Sequence, residues 1–414
     1  MARNGGETQL ERLLHRAEHV VPKEELAQRL EEGRALRVKL GVDPTARDIT
    51  LGWAVPLRKL RQFQDEGHTA VLIIGDFTAR IGDPSGRSET RPQLSAEVVK
   101  ANADAVIEQL LDVLSEDNLE IKYNSEWLDG MDLSAVLRLT ARYTVAQMLE
   151  RDDFARRYAE QRPISIIEFL YPLLQGYDSV AIGADVELGG TDQLFNLLVG
   201  REVQRAHGQH PQIALTMPLL EGLDGVQKMS QSLNNYVGIR EEPNEMFGKL
   251  MSIPDHLIGR YAALAADLDA QAVWETEAAA TAGGPRAGEA KRRMATAVVA
   301  LYHGSEAAGA AEEAFDRQFK RHEAPEDIPE ATIPESAFDR QKKYVNLPRL
   351  LADLGLVASR TEARRLISQG AVRVDGQPMS QEDQPAEDLS GAVVQVGKRR
   401  YVRLSADGGQ SDPL

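Results

Sequence analysis

The chain has 414 residues, of which 42% are hydrophobic and 27% are charged, with a formal net charge of −16. This composition is typical of a globular protein with two or three domains, and no apolar run approaches the roughly 20 residues of a membrane-spanning helix. Because the chain contains no cysteine, disulfides and thiolate metal sites are excluded. The polar and charged first residues predict a cytoplasmic protein rather than a secreted one.

The negative charge is unevenly distributed along the chain. Residues 340–405 contain twelve Lys or Arg and seven Asp or Glu, a balance of +5, and the last nine residues add two Asp. Residues 1–339 must therefore carry −19. The overall charge argues against a protein that coats nucleic acid along its whole surface, because that needs a broad basic face. The basic C-terminal segment instead predicts local contact with a polyanion.

The first part of the chain has the pattern of an α/β protein. Residues 36–42 and 69–75 are short apolar runs with a glycine at or next to their last position, and an amphipathic stretch at 50–66 separates them. This order predicts a β-α-β unit with a parallel sheet covered on both faces. Ligands of such sheets bind at the carboxyl ends of the strands, so the residues just after these runs are candidates for a site.

Two distant segments have the chemistry of phosphate binding. Residues 41–53 read as a strand, a turn and the start of a helix, and residues 223–232 contain a glycine turn followed by Lys228-Met229-Ser230. A mobile lysine beside backbone N–H donors can grip a triphosphate, and a helix N-terminus attracts anions. Together the two segments predict a nucleotide site. Taken alone, the second segment favours a flexible surface loop.

A helical stripe predicts a pocket for an amino acid. Tyr171, Gln175 and Asp178 are spaced at i, i+4 and i+7, which places them on one face of a helix. An aromatic ring, an amide and a carboxylate together can enclose a phenol and an ammonium group. Taken in isolation, the same spacing is also compatible with a solvated helix face that packs one aromatic side chain.

The remaining segments complete the predicted domain order. Helical patterns cover residues 95–115, 133–150 and 169–180, and alanine-rich helices continue to about residue 319. A Pro- and Glu-rich stretch at 321–340 predicts a linker. After it we expect helices at 347–354 and from Ser359, a strand at 371–376 and a strand pair at 392–404.

Five motifs in this order resemble one family, the bacterial tyrosyl-tRNA synthetases. They lie at 42–45 (Val-Asp-Pro-Thr), 81–86, 171–178, 189–193 and in the Lys228 loop, so the likeness covers nearly the whole chain. The resemblance implies a class I Rossmann-like catalytic domain at 1–225 and a helical anticodon-binding domain at 226–320. A linker at 321–340, a small α+β RNA-binding module at 341–405 and a disordered tail at 406–414 would follow.

The resemblance also implies substrates and partners. The activity would join tyrosine to tRNA(Tyr) with ATP and Mg²⁺, in a homodimer without membrane contact. The catalytic residues implied are Thr45, Thr50, Lys228 and Gln231. The residues implied to contact ATP are Asp43, Gly52, Trp53, Gly190, Asp192, Lys228, Met229 and Ser230. Those implied to contact tyrosine are Lys39, Asp83, Tyr171, Gln175, Asp178 and Gln193. The RNA contacts implied are Arg360, Arg364, Arg365 and Arg373, and no metal is held by side chains alone.

The chain departs from the family pattern at both nucleotide motifs. Thr50-Leu51-Gly52-Trp53 stands where the family has His-x-Gly-His, and Gln231 replaces the second lysine of Lys-Met-Ser-Lys-Ser. Thr50 can still donate a hydrogen bond, and Trp53 is either a stacking partner for the nucleotide or an ordinary core aromatic. Gln231 offers a neutral donor in place of a cation. Lys39 occupies a position where some members have a tyrosine that meets the substrate hydroxyl.

Three functional hypotheses follow from these residues. The first is an active tyrosine–tRNA ligase that tolerates Thr50, Trp53 and Gln231. The second is a paralogue that binds tyrosine or RNA as a regulator without forming an adenylate, and the third is an RNA-binding protein that acts through its basic end. The presence of Thr45, Asp83, Lys228 and the helical stripe favours the first.

Overall fold

The structure is a computed structural model that describes residues 8–83, 95–319, 328–397 and 400–405. The chain packs as two compact units, Met1–Gly309 and Ala310–Leu414. In the described residues, no helix is both long enough and apolar enough to cross a membrane.

A six-stranded sheet forms the centre of the first unit. Its strands, in chain order, are β1 (His19–Val21), β2 (Arg37–Val42), β3 (Thr69–Ile74), β4 (Leu119–Tyr123), β5 (Val186–Gly190) and β6 (Ile213–Met217). The spatial order is β1-β6-β5-β2-β3-β4, and only the pair of β1 with β6 is antiparallel. The α/β prediction is therefore confirmed, with an antiparallel edge strand that the sequence pattern did not indicate.

The sheet has its topological switch point between β2 and β5. From β2 the chain continues to β3 and β4 on one side, whereas β5 and β6 extend the sheet on the other. The loops that follow β2 and β5 diverge at such a point and leave a crevice at the carboxyl ends of the strands. The crevice lies where the sequence pattern placed the candidate site.

The helices of the described residues from 8 to 319 surround this sheet or follow it. They are α1 (Gln9–Leu14), α2 (Lys23–Glu31), α3 (Leu51–Asp65), α4 (Ala96–Leu110), α5 (Ser125–Leu128), α6 (Leu133–Thr140), α7 (Val145–Met148), α8 (Asp152–Ala159), α9 (Ile166–Ile182), α10 (Leu194–Ala206), α11 (Pro243–Ser252), α12 (Ile258–Leu264), α13 (Ala270–Ala282) and α14 (Gly284–Phe319). The helical pattern expected at 133–150 corresponds to two helices, α6 and α7, and Thr144 begins the second with a capping box.

Helices α9 and α10 pack closely against each other. Helix α9 begins at the capping box of Ser165 and Glu168 and ends at Gly183, whose φ of 61° is left-handed. A Cβ added at Gly176 would lie 3.1 Å from the Cα of Gly200 on α10. The absence of both side chains thus allows α9 to lie close to α10 and fixes the stripe of candidate residues over the sheet.

The second unit is a small α+β module, as predicted. Its elements are β7 (Glu330–Thr332), β8 (Tyr344–Asn346), α15 (Leu347–Asp353), α16 (Arg360–Ser368), β9 (Val372–Val374), β10 (Gln377–Pro378), β11 (Asp383–Pro385), α17 (Ala386–Leu389), β12 (Val393–Val396) and β13 (Arg400–Ser405). Five strands form one sheet in the order β10-β9-β12-β13-β7, and β8 pairs with β11. Leu350, Val394 and Leu404 belong to its buried core.

The domain boundaries expected from the sequence stay predictions. Strand β7 pairs with β13 and lies inside the stretch 321–340, so the described part of the expected linker contains an element that the sequence pattern did not indicate. The segment 406–414, expected to be disordered, lies outside the described residues.

Candidate active site

The part of the site expected to hold tyrosine, here called the tyrosine end, is centred on Tyr171, which bonds Asp43, a residue expected to contact ATP. Asp43 follows β2, and its Oδ2 accepts a hydrogen bond of 2.9 Å from the Tyr171 hydroxyl on α9. Its Oδ1 accepts a second bond of 2.8 Å from Thr78. A Cβ at Gly75, just after β3, would lie 2.0 Å from Asp43 Oδ1, so glycine there leaves room for the carboxylate. Burial, followed by the charges of Asp43 and Asp83, raises the pKa of Tyr171 well above its usual value, which keeps the phenol protonated.

Asp178 lies further along the same helix and is almost fully buried. Its Oδ1 accepts a hydrogen bond of 2.8 Å from the Trp127 indole N–H, and its Oδ2 accepts one of 3.4 Å from the Asn124 amide. Burial raises the pKa of Asp178 to about 6, against the lowering effects of the Lys39 charge and of the bonds from Trp127 and Asn124. A buried carboxylate that is ionised at neutral pH is a strong acceptor for a substrate hydroxyl.

Two amides connect the stripe to the far side of the pocket. Gln175 Oε1 accepts a hydrogen bond of 3.1 Å from the Asn196 amide. The same amide donates a bond of 3.0 Å to Gln193 Oε1. Gln193 in turn donates 2.9 Å to Asp83. The structure therefore joins Gln175, Gln193 and Asp83, three of the residues expected around tyrosine, in one hydrogen-bonded chain.

Lys39 does not lie where a substrate contact was expected. Its side chain is 0% exposed and pairs with Glu187 at 2.9 Å. The ammonium also donates to the Gln175 carbonyl at 2.7 Å and to Ser179 at 2.8 Å, so all three of its donors are used inside the protein. This placement corrects the expectation of direct contact, because a lysine on a central strand faces the helix that covers the sheet.

The nucleotide end of the site meets the tyrosine end at a short turn after β5. Lys228 Nζ lies 2.6 Å from Asp192 Oδ2, and the next residue, Gln193, holds Asp83. A Cβ at Gly190 would lie 2.8 Å from Asp192 Oδ1 and 2.7 Å from Leu219 Cδ2, so a larger residue there would displace one of these side chains. The lysine loop and the tyrosine pocket are thus linked through two consecutive side chains.

The loop that carries Lys228 is closed by Asp224 and Asn235. Asp224 Oδ1 accepts from the backbone of Val226 and of Gln227, both at 2.8 Å. Asn235 donates 2.5 Å to Asp224 and accepts 2.8 Å from the Ser230 backbone. These bonds hold the base of the loop while the Lys228 side chain stays 40% exposed.

The N-terminus of α3 lies against the same loop. Thr50 is buried and caps the helix, because its hydroxyl accepts 3.3 Å from the Trp53 backbone. The Gly52 N–H points at the Met229 sulfur, 3.3 Å away, and a Cβ at Gly52 would lie 3.3 Å from Met229 Cβ. Trp53 is 37% exposed, which contradicts its interpretation as an ordinary core aromatic.

Thr45 and Gln231 lie at the outer part of this end. The Thr45 backbone donates 2.8 Å to the Asp43 carbonyl in the turn after β2. Gln231 donates 2.5 Å to the Asp48 carbonyl, and Tyr236 donates 3.1 Å to the Asp48 carboxylate. The neutral amide of Gln231 therefore ties the loop to the segment that precedes α3.

The described residues contain no group of three His, Asp or Glu that could hold a metal ion. The four arginines expected to contact RNA are all exposed in the second unit. Arg360, Arg364 and Arg365 lie on α16, and Arg364 forms an ion pair of 3.0 Å with Glu382. Arg373 lies on β9 and donates 3.3 Å to the Gly376 carbonyl.

Several site residues were not predicted from the sequence, namely Thr78, Asn124, Trp127, Glu187 and Asn196. Two of them carried a signal. Asn124 directly follows β4, at the edge where ligands gather, and Glu187 is a charged residue inside a buried strand. Trp127 carried none, because its role depends on how α5 folds back over α9.

Comparison with known proteins places this geometry in a family. The model of the class I tRNA synthetases (W and Y) matches residues 31–320, and that of the S4 domain matches residues 345–385. The chain therefore belongs to the class I tRNA synthetase family of the tryptophan and tyrosine type.

Similar curated proteins are named for one activity. The tyrosine–tRNA ligase of Moorella thermoacetica is 52% identical over 93% of this chain and 92% of its own length. The proteins of the same name from Geobacter sulfurreducens and Thermotoga maritima are 50% and 48% identical, over 94% and 99% of this chain and 96% and 99% of their own lengths.

Solved structures support the fold. A C-terminally truncated mitochondrial tyrosyl-tRNA synthetase from Aspergillus nidulans is similar with a TM-score of 0.62 and 24% identity, over 76% of this chain and 95% of that one. The tyrosyl-tRNA synthetase of Archaeoglobus fulgidus, complexed with L-tyrosine, is similar with a TM-score of 0.60 and 24% identity. The match covers 73% of this chain and 98% of that one.

Proposed function

We propose that this chain is a tyrosine–tRNA ligase, which activates tyrosine with ATP and transfers it to tRNA(Tyr). The observation that carries the proposal is the joining of a buried carboxylate pocket to a lysine loop. Asp178 ends the pocket, Gln193 lines its other side, and the adjacent Asp192 holds Lys228.

The pocket has the polarity that tyrosine requires. Asp178 accepts the phenol hydroxyl, and the anionic groups Asp43 and Asp83, with the hydroxyl of Tyr171 and the amides of Gln175 and Gln193, surround the ammonium. Phenylalanine would leave the Asp178 carboxylate buried without its substrate partner, which is costly. Tyrosyl-tRNA synthetases are themselves the established example of this kind of discrimination.

The reaction has two steps. A tyrosine carboxylate oxygen forms a bond to the α-phosphorus of ATP while the bond from that phosphorus to the bridging oxygen breaks, and pyrophosphate leaves. A terminal ribose hydroxyl of the tRNA then attacks the tyrosyl carbonyl, and AMP leaves. Negative charge grows on phosphate oxygens in the first step, so a placed cation accelerates it. Lys228 supplies that cation after exchanging Asp192 for the triphosphate, with Thr45 and Gln231 as neutral donors.

Other parts of the nucleotide end contact ATP without charge. Trp53 is exposed beside the Gly52 backbone and can stack on the purine or its ribose. Met229 and Ser230 present the loop backbone. Mg²⁺ arrives with the ATP phosphates rather than in a cage of side chains, which agrees with the preference of this ion for phosphate and water ligands.

Tyrosine-dependent exchange of pyrophosphate into ATP tests the proposal. The ligase hypothesis expects exchange that depends on tyrosine, whereas the non-adenylating regulator would bind tyrosine without exchange. Absence of exchange at high protein concentration, with tyrosine binding intact, would exclude the ligase.

A homodimer belongs to the same proposal. Large apolar side chains are exposed between residues 133 and 166, including Leu133 and Leu137 one turn apart on α6, and also Val145 and Ile166. An apolar surface of this kind is typical of a subunit interface. We expect a dimer by analytical ultracentrifugation and a monomer after Leu137→Glu. A monomeric parent protein would contradict the dimer.

Contact with tRNA through the second unit and a location in the cytoplasm complete the proposal. The double change Arg360→Ala with Arg365→Ala should raise the KM for tRNA about tenfold and leave pyrophosphate exchange unchanged, since each arginine contributes a phosphate contact. Arg349→Ala, on the neighbouring helix α15, is the matched control. An equal effect on both reactions would argue against this RNA surface.

A further inference from the structure

Lys39 and Glu187 form a buried ion pair directly beneath the tyrosine pocket. They are register partners on β2 and β5, at the switch point of the sheet. Their side chains are 0% and 1% exposed. Removing two charges from water is costly, and a pair of apolar side chains of similar volume often gives equal or greater stability. Stability alone therefore does not account for a pair at this position.

Except for a bond from Gln212 to Glu187, the contacts of the pair with other residues are made to the helix that carries the pocket residues. Lys39 bonds the Gln175 carbonyl and Ser179, which flank Asp178 on α9. Glu187 accepts 3.1 Å from the Gln175 side chain and 3.3 Å from Ser179, and it also accepts from Gln212. The Gln175 amide is therefore oriented with its nitrogen toward Glu187 and its oxygen toward Asn196.

We propose, on the basis of the tyrosine ligase function, that Lys39 and Glu187 are a positioning pair that orients Gln175 and places two opposite charges beneath Asp178 for tyrosine binding. Neither residue touches the substrate. The positive end of the pair favours the ionised carboxylate, and the negative end opposes it. The two residues thus act on Asp178 with opposite signs.

The charged and titratable groups around Asp178 are few. Among the groups that shift its pKa, Lys39 on β2 lowers it and Glu187 on β5 raises it. Tyr171, on the same helix, interacts with the Asp178 charge and keeps its own proton. An acid limb in the pH dependence of tyrosine affinity should therefore report the ionisation of Asp178, because only the carboxylate accepts fully from the phenol hydroxyl.

The test is equilibrium binding of labelled tyrosine to the full chain between pH 5 and 8.5. Lys39→Met should move the midpoint of the acid limb upward by about half a pH unit or more, and Glu187→Gln should move it downward by a smaller amount, because the Glu187 charge has the weaker effect on Asp178. Lys39→Arg keeps the charge and should keep the midpoint. Lys59→Met is the matched control, since Lys59 is a buried lysine that bonds the Leu13 and His15 carbonyls away from the pocket.

Opposite shifts cannot arise from a general loss of stability, which would act in one direction. Midpoints that stay at the parent value, or that move in the same direction in both variants, overturn the proposal. If Lys39→Met does not fold, the downward shift in Glu187→Gln decides alone. A parent protein that binds no tyrosine would overturn the ligase function itself, whereas a normal parent limb with unshifted variants overturns only the positioning pair.

Discussion

The tyrosine end and the nucleotide end of the site hold their side chains in different ways. At the tyrosine end, Asp178 and Tyr171 are buried and bonded to partners on other elements. At the nucleotide end, the 40% exposed Lys228 pairs with Asp192, and Gln231 bonds a backbone carbonyl across a loop. The residues that depart from the family pattern in the two nucleotide motifs, Thr50, Trp53 and Gln231, all lie at the nucleotide end.

The difference follows from the chemistry of each ligand. A phenol hydroxyl is recognised by one acceptor, and a buried site has to place that acceptor accurately because misplacement leaves it unpaired. A triphosphate carries several charged oxygens, and a loop can contact it through more than one set of donors. Substitutions at the nucleotide end are therefore easier to accommodate than substitutions around Asp178.

Removing Lys228 from the loop should have the largest effect on activity. It should change the reaction at the nucleotide end without changing tyrosine binding. Lys228→Ala is expected to lower kcat for adenylate formation about 10²–10³-fold, because a preorganised cation at the developing phosphate charge is lost. Tyrosine affinity should be unchanged. Stopped-flow measurement of adenylate formation gives the rate, and equilibrium dialysis gives the affinity. A tyrosine Kd that rises along with the fall in rate would show that the two ends are not independent.

Replacing the Asp178 carboxylate at the base of the pocket should affect the recognition of tyrosine and leave the nucleotide end unchanged. Asp178→Asn is expected to lower kcat/KM for tyrosine about 10²-fold, since a charged acceptor is replaced by an amide that has to be oriented. The KM for ATP should stay the same, and discrimination against phenylalanine should fall. Pyrophosphate exchange with both amino acids measures these changes. Undiminished discrimination would place the hydroxyl elsewhere.

The raised pKa of Asp178 predicts a pH dependence of tyrosine affinity at the tyrosine end only. With a pKa of about 6, only about a tenth of the carboxylate is ionised at pH 5, so the Kd for tyrosine should rise about tenfold between pH 7.5 and pH 5. The Kd for ATP, measured in the absence of tyrosine, provides the comparison. A flat tyrosine profile would contradict the assignment of Asp178.

The raised pKa of Asp178 also makes the folded state less stable at neutral pH than in acid. The folded pKa is raised from 3.8 to about 6, so the folded state holds the proton more tightly, and this stabilisation is present in acid and lost as the pH rises from about 4 to about 6. At pH 7.5, Asp178→Asn should therefore be more stable than the parent by on the order of 1–3 kcal/mol. Urea unfolding at pH 4 and pH 7.5 measures the difference. A larger stability gain at pH 4 would have the wrong sign.

The sequence was most informative where local spacing determines geometry. The stripe of Tyr171, Gln175 and Asp178 follows from helical periodicity, and the strands at 36–42 and 69–75 follow from apolar runs. The partners of Lys39 could not be predicted in this way. Its pairing with Glu187 requires that β2 and β5 be neighbours, although about 145 residues separate them in the chain. Strand order of that kind depends on the whole fold rather than on any local pattern.

Contacts between distant segments were equally unpredictable for the loop beyond β6. Spacing indicated that Lys228 and Gln231 share a phosphate-binding loop, but not that Gln231 would reach the Asp48 carbonyl. That contact depends on the approach of two segments about 180 residues apart. It also determines what a substitution at Gln231 can be expected to do.

Restoring lysine at Gln231 should have the smallest effect and is the sharpest test of the nucleotide end. Gln231→Lys adds a cation to the loop while giving up the amide contact to Asp48, although lysine can also donate to that carbonyl. If the position turns toward pyrophosphate in the transition state, the adenylation rate should rise several-fold with tyrosine affinity unchanged. Gln227→Lys, which adds the same charge four residues earlier on an exposed part of the loop, is the matched control. An equal gain in both variants would indicate general attraction of ATP by charge, and an unchanged or lower rate in Gln231→Lys would reject the placement of this residue at the phosphates.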